Sequence, residues 1–348
     1  MIDLRSDTMT RPSAGMREAM ATAEVGDEQW REDPTVTALE RRVAELLGHE
    51  EAVYLPSATM ANAIALSILT RPGDGLIVED RSHIVFGELG GAARHAGLLL
   101  RSVHADDGAF TPEQVREAFA PAGGHHTPPT SVVAVEDTHN LSGGRLWPLD
   151  RLDAVVATAR ELGIAPHLDG ARLMHAAVAQ GVPPARIASQ FDTVTLCLSK
   201  GLGCPLGALI AGSSQLMERA RYDKHAFGGA MRQAGIVAAS GIYALDHNVE
   251  RLADDHARAR RLAQGLAEAG LPVDVEAVET NFVRIHVAGL GLDVADAVER
   301  LAARGVGMSW SGPGLLRAVL HLDVTDEDVE RAIELVPQAL GVRHSARA

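Results

Sequence analysis

From residue 35 to residue 340, segments with apolar residues at steps of three and four alternate with short apolar runs that stop at Gly, Pro, Asp or His. A chain that changes period in this way buries both faces of its strands beneath helices, which predicts α/β architecture with a largely parallel sheet. Thr35 to Leu47 reads as a helix because Val36, Leu39, Val43, Leu46 and Leu47 fall on one face. A second helix follows the turn Pro56-Ser57-Ala58-Thr59, with Ile64, Ile68 and Leu69 along its buried side. Gly75 to Val78, Ser131 to Val135, Ile164 to Leu168, Thr193 to Leu198 and Ala208 to Ala211 are short, apolar and partly β-branched, as strands buried on both faces are.

The pattern changes after a long helical region from Gly235 to Ala269. Asn281 to Val287 and Leu315 to Leu322 read as strands separated by a helix from Val294 to Ala303. With 348 residues the chain is too long for one compact core. The expected division is a large domain with an N-terminal arm at 1–248 and a smaller α+β domain at 249–348. Arg343 to Ala348 are expected to fray.

A composition of 46% hydrophobic and 22% charged residues is that of a soluble globular protein. The formal net charge of -14 argues against nucleic acid as a partner, since phosphate-backbone affinity comes from clustered Lys and Arg. Any anionic ligand must be held by local charges. Cys197 and Cys204 match neither a CxxC redox pair nor a zinc cluster, so no metal and a reducing compartment are expected. The opening MIDLRSDTMTRP lacks a basic stretch followed by an apolar run, and no segment reaches the roughly 18 apolar residues of a membrane span. The expectation is a cytoplasmic protein without membrane association.

Three of the expected strands end in polar clusters: Glu136-Asp137-Thr138-His139-Asn140, Asp169-Gly170-Ala171-Arg172 and Ser199-Lys200-Gly201-Leu202-Gly203. Ligands of open parallel sheets bind in the crevice beyond the carboxyl ends of the strands, so these clusters converge on one candidate site. Lys200 is either a solvated charge or an amine placed to form a Schiff base. Gly201 and Gly203 let backbone pack close around it, which favours the second reading. Asp169 is either a helix N-cap or a carboxylate facing the ring nitrogen of a pyridoxal cofactor. Ser57-Ala58-Thr59 opens a helix whose N-terminal N–H groups suit a phosphate, although a plain cap has the same composition. Together these residues fit a pyridoxal 5'-phosphate site.

The segments DLRSDTMTRP, VGDEQWREDPTV, HLDGAR, LSKGLGCPLGALIAG, GGAMRQAGI and AVLHLDV resemble, in order and spacing across nearly the whole chain, the low-specificity L-threonine aldolases. The resemblance implies the aspartate-aminotransferase-like architecture of fold type I pyridoxal-phosphate enzymes, and cleavage of L-threonine, L-allo-threonine and related β-hydroxy-α-amino acids to glycine and an aldehyde. It makes Lys200 the Schiff-base lysine, Asp169 the partner of the pyridine nitrogen, and Ser57, Ala58 and Thr59 the phosphate cup. His83 would stack on the ring, and His126 would stand near the substrate hydroxyl as a second histidine. Ser6, Arg172 and Arg317 would hold the substrate carboxylate. Arg232 would approach the cofactor phosphate from a neighbouring subunit of a homo-oligomer, expected as a tetramer built from two dimers.

The chain departs from the family pattern at Trp30-Arg31, where Tyr-Gly is common, and at Ala58 and Ala230, where glycine is common. The family places the first pair near the substrate entrance. Another reaction on the same scaffold, such as β-elimination, racemisation or transamination, is the nearest rival. Arg5-Ser6-Asp7-Thr8 and His83 favour the aldolase. A non-catalytic binding module is disfavoured by retention of Lys200 and Asp169, and a dinucleotide site by the lack of a GxGxxG after an early strand.

Overall fold

The computed structural model describes residues 1–342, so the tail from Arg343 to Ala348, expected to fray, lies outside the described residues. In chain order the strands are β1 (Ile2–Asp3), β2 (Glu51–Leu55), β3 (Gly75–Glu79), β4 (Leu99–Val103), β5 (Thr130–Glu136), β6 (Ala165–Gly170), β7 (Thr193–Cys197) and β8 (Ala208–Gly212). They continue with β9 (Phe282–His286), β10 (Val306–Gly307), β11 (Ser309–Trp310) and β12 (Leu315–Val319). Seven of them form one sheet in the order β2-β8-β7-β6-β5-β3-β4. β8 runs antiparallel to both its neighbours, and the other pairings are parallel.

Every residue of β3, β7 and β8 is buried, which is the condition a parallel sheet covered on both faces imposes on its sequence. The five strands expected here are all present. β2 and β4 escape the reading: β2 is an edge strand that opens on Glu51, and β4 is an edge strand with Arg101 and Ser102 and with Leu99 and Leu100 exposed.

The Pro34–Leu47 helix illustrates how the covering layer is fixed. Asp33 accepts the N–H groups of Thr35 and Val36, Pro34 stands in the first turn, and Gly48 closes the helix at φ 74. Val36, Leu39, Val43 and Leu47 then face the core. Asp33 also accepts the N–H of Gly235 at 2.8 Å, joining this helix to the start of the Gly235–His247 helix.

The C-terminal part has its own sheet, β11-β12-β9, antiparallel throughout. Its core contains Leu262, Leu266, Val283, Ile285, Leu301, Leu316 and Val336, and it also takes in Ile2 and Leu4 from the chain start. β1 pairs in parallel with β10, and Leu4 accepts the N–H of Val319. The long helical region read at Gly235 to Ala269 is two helices, Gly235–His247 and Leu252–Glu268. At the break Asn248 directs its side-chain amide to the Leu202 carbonyl at 2.7 Å. Leu252 packs in the core of the large sheet and Ala259 in the second core, so the second helix bridges them. Among the described residues no helix is long and apolar enough to cross a membrane.

Candidate active site

Because β2, β3, β5, β6 and β7 share one direction, their carboxyl ends lie along one edge. The registers align Leu55 with Ala208, Ala208 with Cys197, and Glu136 with Asp169. Lys200 follows β7 at this edge in a turn whose geometry needs its glycines. Gly203 has φ 78 and donates its N–H to the Lys200 carbonyl at 2.8 Å. A Cβ at Gly201 would lie 2.4 Å from His175 Nε2, so no larger residue lets the turn press against the Leu173–Gln180 helix. Thr10 Oγ1 donates to the Lys200 carbonyl at 3.0 Å from the N-terminal arm. Among the described residues the amine is left available: Asp7, a carboxylate within its electrostatic reach, directs both oxygens to Arg172.

Asp169 is the penultimate residue of β6 and is buried. Its Oδ1 accepts the Ala171 N–H at 3.1 Å, as a cap does, while Oδ2 accepts from Asn62 Nδ2 at 2.8 Å. Asn62 was not picked out from the sequence, although an amide on the apolar buried side of the Ala58–Leu69 helix was the available signal. Its oxygen faces His167 Nε2 at 3.3 Å, and His167 Nδ1 meets Thr193 Oγ1 at 2.9 Å. Burial pushes His167 down to about 4, so it is neutral.

His83 opens the His83–Phe86 helix just beyond β3, and its backbone N–H donates to Glu136. The imidazole Nδ1 lies 3.0 Å from Glu88 Oε1. Glu88, also absent from the sequence reading, has a buried carboxylate, and FGELGG carries no pattern that marks it. The Glu88 hydrogen bond raises the His83 pKa, while burial raises that of Glu88.

Arg172 and Arg317 share the ring of Phe282, with guanidinium carbons 4.8 and 5.6 Å from its centroid. Their charges are handled differently. Arg172 is buried in a bidentate pair with Asp7 at 2.7 and 2.8 Å. Burial disfavours the Asp7 carboxylate, yet Arg172 more than offsets it and holds the group well below the usual range. Among the described residues the hydrogen-bond partners of Arg317 are neutral, Ser309 Oγ at 3.0 Å and Asn140 Oδ1 at 2.7 Å. Burial, then repulsion from Arg172, bring Arg317 down to about 10, which still leaves a full positive charge at neutral pH. Ser6 caps the turn at Asp7–Met9, accepting from Thr8 N at 3.2 Å and Thr8 Oγ1 at 2.9 Å.

Ser57 accepts the Met60 N–H at 3.3 Å, and Ser57 and Thr59 stay exposed at the start of the Ala58–Leu69 helix. Ala58 is not among the residues with positive φ, so its methyl is accommodated where glycine was expected. His126 is not brought to this edge. It lies exposed in the loop before β5, at the end of the strand opposite Glu136, and the strand itself spans roughly 20 Å. Arg232 is also outside the cleft: it is exposed, pairs with Asp27 at 3.0 Å, and lines a groove of about 660 Å³ with Trp30, Arg31 and Tyr222. Trp30 and Arg31, expected near the substrate entrance, therefore share that groove, and Lys200 does not border it. Residues of the Pro34–Leu47 and Ser214–Ala226 helices, far apart in sequence, line the same groove, a juxtaposition local sequence does not encode.

The residues present fit pyridoxal phosphate: an available amine, a buried carboxylate fixed as an acceptor, and an open helix start for an anion, all on one sheet edge. Fold and site define a pyridoxal-phosphate-dependent enzyme of the aspartate-aminotransferase fold. The chain belongs to the low-specificity L-threonine aldolases, within the β-eliminating lyase family whose model matches residues 3–289. It is 40% identical to the probable low-specificity L-threonine aldolase 2 of Arabidopsis thaliana, covering 94% of each chain. It is 41% identical to the low specificity L-threonine aldolase of Escherichia coli K12, over 94% of this chain and 96% of that one. The fold is similar to Leishmania major threonine aldolase, with a TM-score of 0.83 and 21% identity over 98% of this chain and 100% of that chain. A double mutant of Thermus thermophilus aspartate aminotransferase superposes with a TM-score of 0.74 at 18% identity, over 97% and 91% of the two chains.

The neutral His167 gives a pH prediction. Its folded pKa of about 4 lies below the ordinary value of 6.5, so its contribution is fully present above pH 6.5 and declines as pH falls toward 4. Urea unfolding of wild type should lose on the order of 1–2 kcal/mol from this group between pH 7 and pH 5. His167→Asn should show a flatter profile; an equally steep one would exclude His167 as a source.

Proposed function

We propose that this enzyme cleaves the Cα–Cβ bond of L-threonine, L-allo-threonine and related β-hydroxy-α-amino acids, releasing glycine and an aldehyde. The observation that carries the reading is the shared edge on which the available Lys200 amine and the buried Asp169 carboxylate stand near His83, with the Arg317 cation reaching Asn140 there from β12. When bound, pyridoxal phosphate supplies the electron sink for the pair released at Cα.

Lys200 would hold the cofactor through its amine, Asp169 would partner the ring nitrogen, and Ser57, Ala58 and Thr59 would offer N–H groups to the phosphate. Arg317 takes the substrate carboxylate with its planar fork, supported by Ser6 and by the Arg172–Asp7 pair beside it. His83 accepts the hydroxyl proton directly or through one water, the task that separates aldol cleavage from its rivals. His126 has no role in the cleft of its own chain. Arg232, exposed and outside that cleft, suits a neighbour's cofactor phosphate in a homotetramer built as a dimer of dimers. Cys197 and Cys204 are free and buried, in keeping with the reducing cytoplasm.

Purified protein supplied with threonine should form glycine and acetaldehyde; pyruvate with ammonia, or a keto acid, would indicate one of the rival reactions. Borohydride should fix the cofactor on Lys200, and Lys200→Ala should lose both the linkage and turnover, whereas a label on another lysine would refute the assignment. Arg317→Lys should weaken threonine binding by about 1.5–3 kcal/mol while leaving cofactor absorbance unchanged, because charge is kept and the fork lost. Unaltered threonine kinetics would remove Arg317 from the site. Sedimentation at assay concentration should give an oligomer, and a fully active monomer would overturn the role given to Arg232.

A further inference from the structure

We propose that Glu88 is a positioning residue for His83: its carboxylate holds the imidazole with the proton on Nδ1, leaving Nε2 as the atom that takes the substrate hydroxyl proton. Asn62 ties this pair to Asp169. The inference rests on the acid–base task given to His83 above.

The direction of each hydrogen bond follows from the donors available. Asn62 Nδ2 lies 2.9 Å from Glu88 Oε1 and 2.8 Å from Asp169 Oδ2. Only the NH2 end of an amide can face two carboxylates, so both its hydrogens are committed and its oxygen must turn toward His167. His167 Nε2 therefore donates, and its Nδ1 accepts from the Thr193 hydroxyl. With the far end of the chain set in this way, Glu88 Oε1 is an acceptor from Asn62, and it receives the His83 Nδ1–H as its second donor.

Local backbone holds the pair in place. A Cβ at Gly87 would lie 2.6 Å from the His83 ring, so glycine there gives the imidazole its resting place. Leu89 follows Glu88 at φ 53, a left-handed conformation unfavourable for leucine, and Gly90 continues it at φ 74. This turn directs the Glu88 carboxylate inward while the Leu89 side chain stays in solvent at 85% exposure. The charged groups facing His83 are Glu88, Asp169 from β6, Lys200 beyond β7, and Glu136 at the backbone N–H. Glu88 alone among them bonds the ring.

In the reaction the substrate O–H bond breaks, its proton passes to Nε2, and its electron pair becomes the second C–O bond of the aldehyde. The Cα–Cβ bond breaks with its pair remaining at Cα. The imidazolium so formed carries its charge directly against the Glu88 carboxylate, as the buried aspartate does for the histidine of a serine protease.

Nitrogen-resolved NMR of His83 in the holoenzyme, together with pH–rate profiles, tests the assignment. Wild type should show the Nδ1–H tautomer when neutral. Glu88→Gln preserves shape and an acceptor oxygen but removes the charge, so His83 should titrate about one unit lower and the acid limb of kcat/KM should move with it. Glu88→Ala should shift the tautomer toward Nε2–H and lower kcat by about 10–100-fold, with a smaller change in KM. A neutral Nε2–H imidazole in wild type, or a His83 that titrates alike in wild type and Glu88→Gln, would overturn the role of Glu88. Wild type that releases no acetaldehyde from threonine would overturn the functional reading instead, and the NMR result would still decide the position of the proton.

Discussion

The buried pair of Asp7 and Arg172 is the interaction on which the arrangement of the site depends. It joins three parts of the chain: the N-terminal arm, the turn that follows β6, and, through the ring of Phe282, the first strand of the second sheet. Two fully buried charges are expensive to desolvate, so the pair is tolerable only with both partners in register. Its geometry is bidentate, which fixes the plane of the guanidinium as well as its position. The arm that carries Asp7 is itself anchored by β1 on β10 and by Leu4 in the second core. Asp7 thereby couples the placement of the small sheet to the edge where Lys200 stands.

That coupling explains how a chain with a net charge of -14 can present an anion site. Neutralisation of Arg172 by Asp7 leaves Arg317 as a neighbouring cation with only neutral hydrogen-bond partners. The surrounding acids are committed elsewhere. Glu136 accepts the N–H groups of His83 and Asn140, and Glu79 pairs with His139 at 3.0 Å. Burial pushes Asp137 up to about 8, so it carries a proton at neutral pH and adds no negative charge. Local bookkeeping of charge, not the total, sets what the cleft attracts.

The sheet was legible in the sequence where burial is two-sided. β3, β5, β6, β7 and β8 are short, largely apolar segments buried along nearly their whole length, and segments of that kind admit few alternatives. The edge strand β4 and the short β1, β10 and β11 were not legible, since their stability comes from pairing and packing more than from composition. In the site, Lys200 and Asp169 were readable because polar residues ended apolar strands. Asn62 and Glu88 were not, because each acquires meaning only from the residue opposite it.

The sequence by itself determined the alternation of helices with the buried strands, the polar clusters at the strand ends, and the family to which the chain belongs. Local periodicity and ordered motifs are properties of neighbouring residues, and they survive reading in one dimension. Tertiary structure decided which cation remains uncompensated, which carboxylate meets which imidazole, and that His126 and Arg232 lie outside their own chain's cleft. Those outcomes depend on contacts between residues far apart in the chain, as with Asp7 and Arg172, 165 positions apart, and on burial that changes the cost of charge once the chain has folded.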